Sequence, residues 1–158
     1  MIVGVSYKKV AEMSTRMNRA EMGVATPTSF HNKKKYFEFL SHFETRNLEK
    51  IEAGVLNYFH ATAKINASHP INAAAQAVGY YSDIILPIAQ SLDGFTRQNY
   101  IVLAGEYQGT EWVTSTGYFY GHFNKPLFGI PPSNRMAFLR FGEFHKIENG
   151  EITETYVY

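Results

Sequence analysis

The chain has 158 residues, of which 45% are hydrophobic and 15% aromatic, so it is long enough to bury the core of one globular domain. Its formal net charge of +1 gives no bulk electrostatic reason to expect nucleic acid or an acidic membrane surface as a partner. It contains no cysteine, which excludes disulfides and thiolate chemistry, and it has no apolar run near the ~20 residues that span a bilayer. We therefore predict a cytoplasmic protein.

Residues 1–32 are predicted to form an N-terminal extension, and residues 33–158 the main domain. Four apolar side chains of the extension have the three- and four-residue spacings of one helix face: Tyr7, Val10, Met13 and Met17. Pro27 ends this pattern. A helical arm that packs on its own domain or on a partner subunit, and a disordered leader, are both compatible with the segment.

Three helical patterns follow the extension. The first covers residues 33–47, the second begins after the N-cap Asn47 and covers residues 48–59, and the third covers residues 81–92. Pro87 lies inside the third pattern and predicts a kink or a late helix start. The short mixed stretch 60–66 between the helices predicts an edge-type strand.

The rest of the chain has the patterns of strands. The predicted strands cover residues 96–106, 112–123, 136–147 and 152–158. The turn-favouring pair Gln108-Gly109 joins the first of these strands to the second, and the pair Asn149-Gly150 joins the third to the fourth. A proline-containing loop over residues 125–133 joins the second to the third. Helices followed by long antiparallel strands indicate an α+β fold with the helices on one face of the sheet.

The strand from Trp112 to Phe123 alternates between two kinds of face. The even positions carry polar and aromatic side chains, whereas the odd positions are small or apolar. The even row is Trp112, Thr114, Thr116, Tyr118, Tyr120 and His122. Because an outer sheet face normally carries charged groups, we interpret this row as the wall of a pocket, with a covering helix as the alternative.

The C-terminal half resembles a known family. The run Gly129-Ile130-Pro131-Pro132 followed by Arg135, and the hairpin Glu148-Asn149-Gly150-Glu151, are similar to the C-terminal signature of the SnoaL-like polyketide cyclases. These cyclases belong to the nuclear transport factor 2-like superfamily. The likeness extends back through Trp112-Val113-Thr114-Ser115-Thr116-Gly117 and His69-Pro70-Ile71-Asn72, so it covers most of the chain after the extension.

The resemblance implies a curved antiparallel sheet wrapped around N-terminal helices, which gives a cone with an internal pocket. It also implies a homodimer. The superfamily contains cyclases, isomerases, dehydratases, epoxide hydrolases and proteins without catalytic activity, so the resemblance specifies the fold better than the reaction. The family strand continues beyond the equivalent of Tyr158, and we therefore expect one domain of a tandem arrangement or a truncated domain.

Glu143 is the nearest match to the acidic residue that the cyclases place in their pocket. It shares one face of the predicted strand 136–147 with Phe141 and His145. Because that face is mainly apolar, we expect burial to raise the pKa of Glu143, as a general acid or base at neutral pH requires. A carboxylate at a wet rim, or a salt bridge to an arginine such as Arg140, is the alternative.

His122 is the second predicted catalytic residue, because it can orient a substrate oxygen or relay a proton. The predicted substrate-binding residues are Trp112, Tyr118, Tyr120, His69, His145 and Phe141. Each also has an ordinary structural explanation, such as packing or the capping of a turn. The six histidines lack the spacing of a helical zinc motif and no Gly-x-Ser-x-Gly motif is present, so we expect no metal and no serine hydrolase.

Two functions remain open. The first is a cofactor-free cyclase, isomerase or lyase acting on a small hydrophobic carbonyl compound, with Glu143 moving a proton while His122 and a tyrosine stabilise the oxyanion. The second is a non-catalytic ligand-binding or dimerisation module. The two catalytic candidates lie on different predicted strands, so the pairing register decides whether they converge.

Overall fold

The computed structural model describes residues 25–158, so the predicted helix face of the N-terminal extension lies outside the described residues. Helix α1 (Pro27–Glu44) begins before the predicted start at residue 33. Thr26 and Ser29 form a reciprocal capping box, in which each hydroxyl accepts a hydrogen bond from the backbone N–H of the other residue. Pro27 occupies the first turn of this helix, where its missing N–H is not needed.

Helix α2 (Leu48–Tyr58) follows with the predicted cap, because the side chain of Asn47 accepts a hydrogen bond of 3.1 Å from the backbone N–H of Lys50. The helix buries Ile51 and Val55 against the sheet and α1.

The third helical region is divided into three parts. Helix α3 (Gln76–Gly79) passes into a π-helical turn (Tyr80–Ile85), and helix α4 (Leu86–Ser91) completes it. Pro87 lies in the first turn of α4 and cannot donate to the preceding helix, which agrees with the predicted kink. A π turn contains more residues than an α turn, and the adjacent Tyr80 and Tyr81 are both buried here.

Six strands form one sheet in the order β2-β1-β6-β5-β4-β3. They are β1 (Phe59–Ala67), β2 (Ala73–Ala74), β3 (Leu92–Tyr107), β4 (Thr110–Phe123), β5 (Arg135–Glu148) and β6 (Glu151–Val157). The predicted α+β class is confirmed. The sheet is mixed instead of antiparallel throughout, because β1 pairs in parallel with β6. The two-residue β2 pairs with β1 only at Ile65 and Asn66, so most of β1 has no strand partner on that side, as an edge-type strand does.

Both predicted hairpins close with two residues at positive φ, as the tight turns that match the twist of a sheet require. The φ values are 52° and 74° at Gln108 and Gly109, and 52° and 79° at Asn149 and Gly150.

The pairing of β4 with β5 assigns the two faces of the sheet. Ser115 lies opposite Glu143, and these residues point toward the helices, on what we call the inner face. Tyr120 lies opposite Phe138 on the outer face, which the helices do not cover. The even row of β4, with its aromatic side chains, therefore lies on the outer face. The core is built on the other face, from the odd positions of β4 and β5 and the apolar sides of the helices.

Gly117 is required where β3 bulges toward β4. A Cβ at this position would lie 2.1 Å from the backbone oxygen of Gln98, whereas a Cβ at Gly142 on the adjacent strand would meet nothing within 4 Å. We therefore expect Gly117→Ala to lower the free energy of unfolding by about 1–3 kcal/mol or more, as overpacked sites do. Gly142→Ala is the control and should change it little. Urea denaturation of both variants measures the difference, and equal effects would contradict the close approach.

Candidate functional site

Glu143 lies fully buried on the inner face of β5, within a group of polar side chains that reach it from six elements. We call this group the Glu143 cluster. Its members are Glu143 and His145 of β5, Arg97 of β3, Ser115 of β4, Thr155 of β6, Tyr36 of α1 and Tyr80 of the π turn. The helices and the sheet therefore meet at one carboxylate.

Arg97 is the charge partner of Glu143. Its guanidinium forms an ion pair with Glu143 Oε2, and another of its nitrogens donates a hydrogen bond of 3.1 Å to the hydroxyl of Tyr80. The guanidinium carbon also lies 4.5 Å from the ring centre of Phe141 and 4.8 Å from that of Phe43. A cation enclosed by aromatic rings and paired with a carboxylate is well compensated for its loss of water.

Two tyrosines complete the shell around the carboxylate. The Tyr80 hydroxyl donates to Glu143 Oε1 at 2.6 Å, and the Tyr36 hydroxyl lies 3.2 Å from Oε2. Tyr36 also exchanges a hydrogen bond of 2.8 Å with Ser115. Both carboxylate oxygens thus have protein donors.

His145 links the carboxylate to β6. Its Nε2 lies 3.3 Å from Glu143 Oε2, and its Nδ1 lies 2.9 Å from the hydroxyl of Thr155. We place a ring proton on Nε2, because the carboxylate oxygen that it faces can only accept a hydrogen bond.

The pKa of Glu143 is shifted in the direction opposite to the prediction. Burial alone raises its pKa, but the attraction of Arg97 and the hydrogen bond from His145 hold the pKa well below its usual range. The predicted raised pKa is therefore wrong, and Glu143 is ionised at neutral pH. Burial, followed by the Glu143 charge, raises the pKa of both Tyr36 and Tyr80, which keeps their hydroxyls protonated as donors.

The cone is filled with side chains around this carboxylate. Glu143, His145, Tyr80 and Thr155 have no accessible surface, so no water-sized space touches them. A void beside Tyr36 has a volume of about 10 Å³, barely enough for one water molecule, and Glu143 does not line it. The internal pocket that the resemblance implied is closed at its acidic residue.

His122 and the predicted tyrosines do not join Glu143. His122 is exposed on the outer face opposite Met136, and Tyr118 and Tyr120 lie half-buried on that same face. The sequence left the convergence of Glu143 and His122 to the pairing register, and this register places Glu143 on the inner face and both His122 and Tyr118 on the outer face. The alternative partner Arg140 is also on the outer face.

Trp112 does line a concave surface, but this surface lies on the outer face. We call it the outer groove. It has a volume of about 780 Å³, and its walls are Ala25, Leu103, Ala104, Gly105, Tyr107, Trp112, Thr114, Phe144, Tyr156 and Tyr158. Of the other predicted binding residues, His145 and Phe141 lie in or against the Glu143 cluster, whereas His69 is exposed on the turn between β1 and β2.

Five members of the Glu143 cluster were not predicted as site residues: Arg97, Tyr36, Tyr80, Ser115 and Thr155. Arg97 is a charged residue inside the strongly β-prone region 96–106, and that isolated charge was the available signal. Tyr36 lies in the first helical pattern, over residues 33–47, where an aromatic ring on the apolar side of the helix predicts packing. The third helical pattern begins at residue 81 and so omits Tyr80, because α-helical spacing gives no indication of a π turn.

Within residues 25–158, no three histidine, aspartate or glutamate side chains are grouped so that they could hold a metal ion. No helix of this part of the chain is long and apolar enough to cross a membrane.

Comparison with known proteins identifies the fold. No family model and no curated protein matches the sequence. The structure is similar to that of a protein assigned as a SnoaL-like polyketide cyclase from Jannaschia sp. CCS1, with a TM-score of 0.66, 12% identity and coverage of 85% of this chain and 88% of that one. The structure is also similar to that of a nuclear transport factor 2-like protein from Burkholderia thailandensis. For this protein the TM-score is 0.59, the sequence identity is 11%, and the alignment covers 80% of this chain and 88% of that one.

A third similar structure is TerC co-crystallised with polyporic acid, with a TM-score of 0.54, 14% identity and coverage of 80% and 89%. The chain thus has the α+β cone fold of the SnoaL-like and nuclear transport factor 2-like structures, and the fold-level resemblance is confirmed.

The ionised state of Glu143 makes its contribution to stability depend on pH. Because its pKa is lower in the folded than in the unfolded chain (~4.3), the contribution is complete above that value and is lost as the pH falls below it. Glu143→Gln leaves Arg97 buried without its charge partner, so we expect this substitution to lower the free energy of unfolding by about 3–5 kcal/mol at pH 7. The difference in the free energy of unfolding between the wild type and the variant should narrow as the pH falls toward 2–3.

Urea denaturation of the wild type and Glu143→Gln between pH 7 and the acid limit of folding measures this gap. Glu148→Gln is a suitable control, because the carboxyl of Glu148 is half exposed and pairs with Lys146 at the surface. A gap between wild type and Glu143→Gln that widens in acid would contradict the assignment.

Proposed function

We propose that this chain is a non-catalytic module that forms a homodimer through the outer face of its sheet. The observation that carries the proposal is the contrast between the two faces. On the inner face, the carboxylate that corresponds to a catalytic acid is saturated by protein groups. On the outer face, large apolar side chains are left in water.

One end of the outer face carries a group of side chains that we call the outer patch: Tyr100, Ile101, Tyr118, Tyr120, Met136 and Phe138. Phe138 is 63% exposed and Met136 is 58% exposed. The rings of Tyr120 and Phe138 stack at 5.6 Å, and Tyr118 contacts both Tyr100 and Phe138. Monomeric proteins rarely expose contiguous apolar surface on this scale, so the outer patch is typical of an interface.

A second copy of the chain is the partner that suits the outer patch. The patch lies on regular strands and its rings contact one another, so it presents a wide aromatic surface with few charges, of the kind that packs against another sheet. A two-fold axis through the patch would bury the same side chains on both copies. In this arrangement His122 and Arg140 lie beside the patch as rim residues instead of catalytic groups.

A cofactor-free acid–base enzyme is the second candidate, and the composition of the Glu143 cluster favours it. Buried ion pairs are often no more stabilising than apolar side chains of the same size, and π turns are frequent at functional sites. TerC, which has the same fold, was crystallised with polyporic acid. In such a function a small hydrophobic carbonyl compound would displace Tyr36 and Tyr80 from Glu143, which would require α1 and the π turn to separate from the sheet.

Substitution in the outer patch tests the dimer. Phe138→Lys places an ammonium in the centre of the patch, so we expect the dissociation constant to rise by roughly thirtyfold or more, equivalent to ~2 kcal/mol at an interface hot spot. The control is Phe37→Lys, because Phe37 is also about half exposed but lies on α1. Sedimentation velocity over a range of concentrations measures the dissociation constants of the wild type and of both variants. A wild type that is monomeric at every concentration, or equal effects of the two substitutions, would contradict the proposal.

Methyl NMR separates the two candidate functions. Ile84 and Ile85 are buried in the π turn next to Tyr80, whereas Ile101 is exposed in the outer patch. We expect a panel of hydrophobic ketones and quinones to leave the signals of Ile84 and Ile85 unchanged, because no water-sized space adjoins the Glu143 carboxylate. Saturable shifts of these two signals, abolished in Glu143→Gln, would show that a ligand enters the Glu143 cluster, which the enzyme candidate requires and the closed cluster excludes.

A further inference from the structure

The outer patch and the outer groove are the two ends of one continuous apolar face. Leu103 of the groove lies two positions beyond Ile101 of the patch, on the same side of β3. Side chains project from the patch, where Phe138 and Met136 are both more than half exposed, whereas the groove is concave. The outer face therefore has a projecting end and a hollow end of similar apolar character.

The outer patch alone is small for a stable dimer. It covers three strands and runs along β4 from Thr116 to His122, which corresponds to roughly 15 Å by 20 Å at the ordinary strand spacing and rise. A stable interface usually buries ~800 Å² of each partner, more than twice the area of this rectangle. The outer groove extends over β3, β4, β5 and the end of β6. A dimer that covers both ends therefore buries about twice the area of the patch and comes closer to the usual size.

Gly142 lies where the two ends of the face meet. It pairs with Thr116, and a Cβ at this position would meet nothing within 4 Å, so the middle of the outer face is flat and open. Glycine inside a strand costs stability, and it often marks a place where another backbone approaches closely. The middle of the outer face is thus the place where the sheet of a second copy can lie nearest.

We propose that the homodimer is assembled patch to groove, with the outer patch of each copy inserted into the outer groove of the other around a two-fold axis through the pair Thr116–Gly142. The arrangement rests on the homodimer proposed above and places its axis at the end of the outer patch. A two-fold axis at this pair sets β5 of one copy over β4 of the other. Phe138 of one copy then faces Trp112 of the other, because each lies four positions before the axis.

A nitroxide on one copy and the tryptophan of the other test this arrangement, because the chain has one tryptophan and no cysteine. His122 is exposed at the far end of the patch, roughly 33 Å along β4 from Trp112 of its own chain. ¹⁵N-labelled wild type is mixed with an excess of unlabelled His122→Cys protein that carries the nitroxide. We expect the indole N–H signal of Trp112 to lose most of its intensity and to regain it when the nitroxide is reduced.

A nitroxide on Glu49→Cys is the matched control, because Glu49 is exposed on α2 and lies away from the outer face. This label should leave the indole signal intact, and equal broadening by the two labels would overturn the arrangement. Sedimentation velocity on the same mixture shows whether dimers form. A dimer whose indole signal stays sharp would overturn the patch-to-groove arrangement while the proposed homodimer stands. A chain that is monomeric at every concentration would overturn both.

Opposite charges at Gly142 give a second, independent measurement. Next to a two-fold axis the side chains at this position on the two copies lie close together, so Gly142→Glu and Gly142→Lys chains should each repel their own kind and attract one another. An equimolar mixture, with one variant ¹⁵N-labelled, is analysed by native mass spectrometry. We expect mixed dimers to exceed the one half that random pairing gives. Random pairing of the two variants would overturn the position of the axis.

Discussion

The ion pair between Arg97 and Glu143 is the constraint on which the interior of this protein depends. Two charges without access to water are costly unless each has strong partners. Here the carboxylate receives hydrogen bonds from two tyrosines and a histidine, and three aromatic rings surround the guanidinium. Because those partners come from α1, the π turn and the central strands, satisfying one carboxylate positions most elements of the fold.

This arrangement separates the fold from the reaction that the fold suggests. A catalytic carboxylate at neutral pH needs a pKa near the working pH and contact with a substrate. Glu143 has neither, because Arg97 lowers its pKa and its oxygens are enclosed by protein donors. The chain therefore has the cone of the SnoaL-like structures, and under the proposed non-catalytic function the acidic residue at its centre is a structural anion. The exposed apolar surface lies on the other side of the sheet, where we place the protein's interactions.

Local signals were sufficient to predict much of the fold. The Asn-Gly hairpin, the Asn47 cap and the alternation of β4 each depend on neighbouring residues, and the structure agrees with all three. The site was harder to predict because its contacts are distant in sequence. Arg97 and Glu143 are 46 positions apart, so inspection of β5 alone indicated an apolar face and a raised pKa.

The misplaced pocket has a different physical cause. Alternation in β4 separates two faces without showing which one the helices cover. The aromatic row was assigned to a pocket wall because outer faces are usually charged, but Tyr118 and Tyr120 belong to an outer face that is itself apolar. The π turn could likewise not be predicted, because α-helical spacing gives no indication of it.

A double-mutant cycle on Arg97 and Glu143 tests the central claim most directly. The free energies of unfolding of the wild type, Arg97→Met, Glu143→Leu and the double variant are measured at pH 7. Each single variant leaves one buried charge unpaired and should lose about 3–5 kcal/mol, whereas the double variant replaces the pair with apolar groups and should recover most of the stability. Because the two single losses sum to about 6–10 kcal/mol and the double variant loses little, a coupling free energy of about 5 kcal/mol or more is predicted, larger than is usual for neighbouring residues. Additive losses, with no recovery in the double variant, would contradict the account.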